Sequence, residues 1–212
     1  MPSPFMMGLL NQPVIFYTKN RLEIIGIRCF PWTVFNLLGL PADKDGVRIF
    51  EHPIAQLQST LNTCIQAGNI EEAVSQIKQY FLDERSRIAP GSYRDNSMLL
   101  KAGIAMREAN GTMPVSQVAA AAHATVRTLE RNFKQSSGYT VKDVSALMRF
   151  EQVRNQLWHY PDSNLAGLAH ELGYTDQSHL SREFKRFSGT TPAAFARKAR
   201  FRQKVGSREV NK

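Results

Sequence analysis

The chain has 212 residues, 42% of them hydrophobic and 21% charged, which is enough for two domains with separate cores. Its net charge is +9, and all of the excess lies in the back half: residues 1–97 hold nine Lys/Arg and nine Asp/Glu, leaving 18 and 9 for the remainder. No apolar run approaches the ~18 residues of a membrane span, and the start MPSPFMMGLL lacks the charged and apolar regions of a signal peptide.

Cys29 and Cys64 have no metal-site spacing and read as reduced thiols of a cytoplasmic protein, with a disulfide between them as the alternative. A neutral front joined to a basic back fits a nucleic-acid-binding module attached to something else. Attraction to a membrane surface explains the charge less well, because the basic residues interleave with a patterned core.

Residues 13–18 (PVIFYT) and 22–29 (LEIIGIRC) have the Val, Ile and aromatic content of strands, with Lys19-Asn20-Arg21 as the turn between them. PWTVFNLLGLP predicts a short helix, opened by Pro31 and closed by Gly39 and Pro41. Two amphipathic helices follow over 53–67 and 70–84. Ile54, Leu57, Leu61 and Ile65 stripe the first; Ile70, Val74, Ile77 and Phe81 stripe the second; Gly68-Asn69 separates them. Helices so closely joined pack antiparallel, serving either core closure or a seam with a second subunit. Two strands are too few for an independent sheet, so residues 1–90 read as a small partial α+β domain. The loop composition of IAPGSYRDN (88–96) predicts a linker, placed over 91–97.

Behind the linker the chain is patterned for helix, which makes the fold mainly α. Asp95, Asn96 or Ser97 caps a first helix that Gly111 ends. Pro114 or Val115 begins the next, where the alanines at 119–122 let helices approach closely. In residues 164–192, NLAGLAHELGYTDQSHLSREFKRFSGTTP, the side chains of Leu165, Leu168, Ala169 and Leu172 stripe a short helix, and Gly173 permits a sharp turn. Asp176 or Thr175 caps a second helix with Leu180, Phe184 and Phe187 facing inward. Its other face carries Gln177, Ser178, Ser181, Arg182 and Lys185, side chains that bond to base edges and phosphates. Two helices joined in this way form a helix-turn-helix.

The pattern also occurs upstream, in VSQVAAAAHATVRTLERNFKQSSGYTV. Ala119 falls under Ala169; after the turn, Leu129, Arg131, Phe133, Lys134, Gly138 and Thr140 fall under Leu180, Arg182, Phe184, Lys185, Gly189 and Thr191. The register slips by one residue, so the second turn is one residue longer. Between the units, Val144, Leu147, Phe150, Val153 and Leu157 recur along 141–158 and predict one helix packed against both. A helix of that length is about 27 Å long. With the unit ends added, it sets two recognition helices about one DNA turn, ~34 Å, apart. Trp158 and Phe195 read as core, and the basic tail at 200–212 as a solvated, frayed end.

The two units, the connecting helix and the ending GTTPAAFARK resemble the DNA-binding module of the AraC/XylS family of bacterial transcription regulators, over residues 98–199. LGYTDQSHLSREFKRFSGTTP is similar to the second unit of that family almost residue for residue. The chain departs at His123, where the first turn of the family often has Gly. The resemblance implies a sequence-specific transcription regulator with double-stranded DNA as partner and RNA polymerase as a further one. It implies that residues 1–90 are the end of a sensor and dimerisation domain, in which a homodimer forms and an unidentified small-molecule effector binds.

The residues carried over are the outer positions of the recognition helices at about 126–136 and 177–187. Arg182 is the leading base reader, because arginine forks onto guanine O6 and N7. Gln177, Ser178 and Ser181 share its face, and Lys185 meets phosphate. The first unit offers Arg127, Glu130, Arg131 and Lys134. Glu130 has two readings: it accepts from cytosine N4, or it orients Arg127 or Arg131 by a salt bridge. His123, His170 and His179, near the turns, suit structural or phosphate contacts better than zinc. No phosphate loop or nucleophile triad is present, so the expectation is a non-enzyme without cofactor or metal. A DNA-repair enzyme on the same module and a low-specificity architectural binder are the alternatives.

Overall fold

The computed structural model describes residues 5–7, 14–19, 24–27, 29, 47–49, 51–87 and 97–209. At the front, β1 (Phe5–Met7) pairs antiparallel with β2 (Val47–Ile49), with Phe5 opposite Ile49. The strands expected over 13–18 and 22–29 are not formed by the described residues there, which carry no ladder, and Ile15 and Tyr17 stand exposed. Val, Ile and aromatic content makes a strand only where a neighbouring strand and a face to bury are supplied. The PWTVFNLLGLP helix and the linker at 88–96 fall outside the described residues.

The helical pair forms as the spacing predicts, with two differences. Its first member opens as a 3-10 turn (Pro53–Leu57), where Ile54 N–H donates to His52 Nδ1 at 3.3 Å, and becomes α1 (Gln58–Gln66) only afterwards. Gly68, at φ 74°, then turns the chain into α2 (Ile70–Arg87). The side of α2 turned inward centres on Ala73 and Ile77, while Ile70 and Val74 of the expected stripe are exposed. Ala73 is small enough to let α2 lie close, and Val74, one residue on, is carried ~100° round the helix.

The back half is built of α3 (Ser97–Glu108), α4 (Val115–Ala121), α5 (Val126–Ser137), α6 (Val141–His159), α7 (Leu165–Glu171), α8 (Gln177–Ser188) and α9 (Pro192–Glu209). Leu99, Ala102 and Met106 of α3 meet Val118, Leu129 and Phe133 in a first core. Leu168, Leu180, Phe184, Phe187 and Ala196 form a second core. Helix α6 belongs to both: Val141 and Val144 enter the first, and Ala146, Phe150, Val153 and Leu157 the second. Phe150 lies 5.1 Å from both Phe184 and Phe187, centroid to centroid. Truncating Phe184, which is 1% exposed, to alanine costs about 3–5 kcal/mol.

The sequence repeat is also a repeat of hydrogen bonds. Gly138 and Gly189 end α5 and α8 at φ 74° and 70°, and each N–H reaches the lysine carbonyl of the preceding turn at 2.9 Å. Ser137 Oγ and Ser188 Oγ donate back to Phe133 O and Phe184 O at 2.6 and 2.8 Å. Thr140 Oγ1 and Thr191 Oγ1 then accept the amides of Asp143 and Ala194, starting α6 and α9.

Two expectations at the C-terminal end need correction. Residues 200–209, expected as part of a frayed tail, are instead helical, since α9 continues to Glu209. Arg200 pairs there with Asp162, and Gln203 Nε2 donates to Trp158 O at 2.6 Å. Trp158 is not core: it is 39% exposed, edged by Phe195 at 6.2 Å and by the Arg202 guanidinium at 5.8 Å. Among the described residues no helix is long and apolar enough to cross a membrane, and Cys29 and Cys64 are both free.

Candidate nucleic-acid interface

Both recognition helices start at a capped end. Thr125 Oγ1 accepts the Thr128 amide at 3.1 Å, and Asp176, rather than Thr175, accepts the His179 amide at 2.7 Å. Leu129 and Phe133 hold α5 to the first core, and Leu180, Phe184 and Phe187 hold α8 to the second. The opposite faces are left to solvent by helical geometry. Arg127, Arg131 and Lys134 are exposed along one stripe of α5; Gln177, Ser178, Arg182 and Lys185 are exposed along α8, with Ser181 half-buried beside them. Each stripe recurs at three and four residues, the spacing of neighbours on a helix surface.

Glu130 has a partner that neither reading anticipated. Its Oε2 accepts the Val141 amide at 3.3 Å and ties the first recognition helix to the start of α6. One repeat further on, Ser181 replaces the carboxylate and Pro192 replaces the amide donor. The carboxylate and the donor are thus lost together, so Ser181 has no corresponding bond to make.

The turns leading into these helices match. His123 takes φ 52°, and the amides of His123 and Ala124 reach Ala120 O and Ala119 O at 3.0 and 2.9 Å. Gly173 takes φ 67°, and the amides of Gly173 and Tyr174 reach His170 O and Ala169 O at 3.2 and 2.9 Å. The histidine therefore keeps the turn shape that glycine gives the second unit. His179 is half-buried and packs edge-on to Tyr174, 5.3 Å between centroids, which is a structural place.

Sequence reading missed the residues that join the units. Arg149, on α6, extends Nη2 to both oxygens of Glu183 on α8 at 3.2 and 3.3 Å, and Nη1 to Gly111 O at 3.1 Å. Its guanidinium also covers the Tyr174 ring at 5.2 Å. The two charged side chains are 16% and 9% exposed, so solvent screens the pair only weakly. Burial first, and the Glu183 carboxylate second, push the Tyr174 phenol above the ordinary tyrosine range. Gly111, at φ 75°, is required where it stands: an added Cβ would lie 2.4 Å from Ser145 O. Residues 34 and 38 apart in sequence carry no periodic signal that pairs them.

Two tandem helix-turn-helix units sharing one helix, each with a solvent-facing basic stripe, define a double helix-turn-helix domain. Residues 118–198 match the family model described as a helix-turn-helix domain. Over 82 residues the chain is 32% identical to the HTH-type transcriptional regulator RipA of Corynebacterium diphtheriae, covering 39% of this chain and 24% of that protein. Over 71 residues it is 34% identical to RipA of Corynebacterium glutamicum, covering 34% and 21%. The chain therefore spans about a quarter of the length of the curated relatives it matches. It is also similar to the crystal structure of a transcriptional regulator, an AraC-type DNA-binding domain-containing protein, from Chromobacterium violaceum. That likeness is at 18% identity and a TM-score of 0.45, over 50% of this chain and 94% of that one. What the comparisons show of this chain is a helix-turn-helix domain over residues 118–198.

Proposed function

We propose that the chain is a sequence-specific, DNA-binding transcription regulator, not an enzyme, that sets α5 and α8 into successive major grooves on one face of a duplex. The observation that carries this reading is the repeat: two capped helices with matching outward stripes, both packed on α6. At 19 residues α6 is about 28 Å long, of the order of one DNA turn. Arg131 and Arg182 occupy the same position of the two helices and read bases; Gln177, Ser178 and Ser181 add contacts on α8; Arg127, Lys134 and Lys185 meet phosphates. Glu130 supports α5 from behind through the Val141 amide.

The front half supplies association. Ile70, Val74 and Leu82 of α2 are exposed apolar side chains, a face suited to a second copy of the chain. The free thiols and the absence of a spanning helix among the described residues are compatible with the cytoplasm as its compartment.

Selection of duplexes from a random pool by the full chain, followed by footprinting, tests the reading. The expected product is a motif with two conserved blocks about 10 base pairs apart on one face. Binding should fall with a slope of log K against log salt near −5, for ~6 neutralised phosphates. A pool that returns no motif, with the same salt slope, would identify an architectural binder instead.

A further inference from the structure

We propose that Arg149 and Glu183 are positioning residues that fix the relative placement of the two recognition helices, and thereby the half-site separation the chain accepts. This rests on the groove-spanning reading above.

Each unit is attached to α6 through its own core, and apolar contact is not directional. A guanidinium is. Its fork binds only along set vectors, and Arg149 uses it on both units at once: Nη1 on the Gly111 carbonyl of the first, Nη2 on Glu183 of the second. Glu183 adjoins Arg182 on α8, so holding its carboxylate holds the rotation of α8 about its own axis. On the other side, Gly111 lies so close to α6 that even a methyl group would meet Ser145 O, which leaves the first unit no slack. The turns also lie close together, since a Cβ added to Gly173 would reach van der Waals distance of Thr112 Cβ, 3.7 Å. Because the ion pair is mostly buried, it persists at salt concentrations where phosphate contacts weaken.

A pair that only stabilised the fold would change affinity for all duplexes alike. A positioning pair changes the dependence on spacing. One inserted base pair turns the second groove by about 35°, so a rigid reader and a loosened one respond differently. Arg149→Met combined with Glu183→Met removes both charges at similar volume, a replacement that often leaves a fold as stable or more so.

The full chain and the double variant are titrated with duplexes carrying the selected site, the site with one base pair added or removed between its blocks, and one block alone. We expect the wild-type chain to lose about tenfold or more on either spacing change, the cost of a mismatched contact. The double variant should lose under about threefold, with unchanged single-block affinity and melting. A folded double variant with the wild-type spacing profile overturns the proposal. Glu183→Gln keeps the volume and one acceptor, and it carries the same test in place of a double variant that does not fold: a partly flattened profile supports the proposal, an unchanged one overturns it. A wild-type chain that binds its motif regardless of spacing overturns this inference and leaves sequence-specific binding standing. One that binds no duplex removes the function reading and the inference together.

Discussion

His123 and Gly173 hold the same left-handed backbone at the same point of two turns, at φ 52° and 67°. The glycine does so without strain, whereas a side chain at such an angle costs roughly 1–2 kcal/mol. His123→Gly should therefore stabilise the domain by about 1 kcal/mol or less, the strain relief being offset in part by the greater freedom of glycine in the unfolded chain. DNA affinity should not change. Gly173→Ala should lose about 1–2 kcal/mol. Melting curves of the two variants against the wild-type chain decide the matter; a lower melting temperature for His123→Gly would mean that the imidazole makes a compensating contact.

The docking of α9 on α6 predicts where the domain can be cut. A fragment of residues 96–200 holds both cores and should fold and bind duplex DNA. A fragment of 96–209 should melt higher, because it retains Gln203 on the Trp158 carbonyl and Arg202 over the Trp158 ring. Equal melting of the two would show that the end of α9 adds nothing to the module.

Arg182 and Lys185 lie one turn apart on the same exposed stripe, yet their variants should differ in kind. Arg182→Ala should cost ~1–3 kcal/mol and relax preference at one or two positions of the site. Lys185→Ala should weaken all sequences about equally, since a phosphate carries no base identity. Arg131→Ala should resemble Arg182→Ala at a position about 10 base pairs away. Site-selection profiles in which neither arginine variant alters base preference would contradict the assignment. Two profiles altered at the same base pair would exclude successive grooves.

The Tyr174 phenol predicts an alkaline limit. Its ionisation in the folded chain is raised above the unfolded value of ~10, so the folded state keeps a proton that the unfolded state gives up. The associated stability is fully present below pH ~10 and is lost as pH rises above it. Among the described residues no group meets strict hydrogen-bond geometry with the buried hydroxyl, although the Glu183 carboxylate acts on it, so Tyr174→Phe should cost no more than about 1.5 kcal/mol at neutral pH and keep the ring under Arg149. Denaturant titrations at several pH values should show the phenylalanine variant gaining on wild type only above pH ~10. A constant difference across that range would mean that Tyr174 titrates normally.

Local pattern was sufficient for most of the back half. Val144, Phe150, Val153 and Leu157 recur at helical spacing, so their helix could be read without its partners, and the helices expected at about 126–136 and 177–187 end within a residue of α5 and α8. What local pattern does not contain is the choice of partner. Arg149 looks like any solvated helix arginine until Glu183 and Gly111 come to it from other elements. Glu130 looked like part of the outward stripe because its neighbours Arg127 and Arg131 are; only the fold brings the Val141 amide within reach. Trp158 reads as core from sequence because a large ring is normally buried, whereas in the fold it lies at the end of α6 with the C-terminal helix along one edge. At the front, the described residues of 13–18 and 22–29 form no strand despite their composition, since pairing depends on neighbours that composition does not name.

Helix α6 gives its first turns to one core and its remaining turns to the other. Neither unit can come apart without exposing apolar side chains of a helix the other still requires. A fluctuation that opens one unit is therefore opposed by the burial energy of both, and the back half should behave as a single foldon. Amide hydrogens in α4 and α8, far apart in the chain, should then exchange through the same global opening, with closely similar protection.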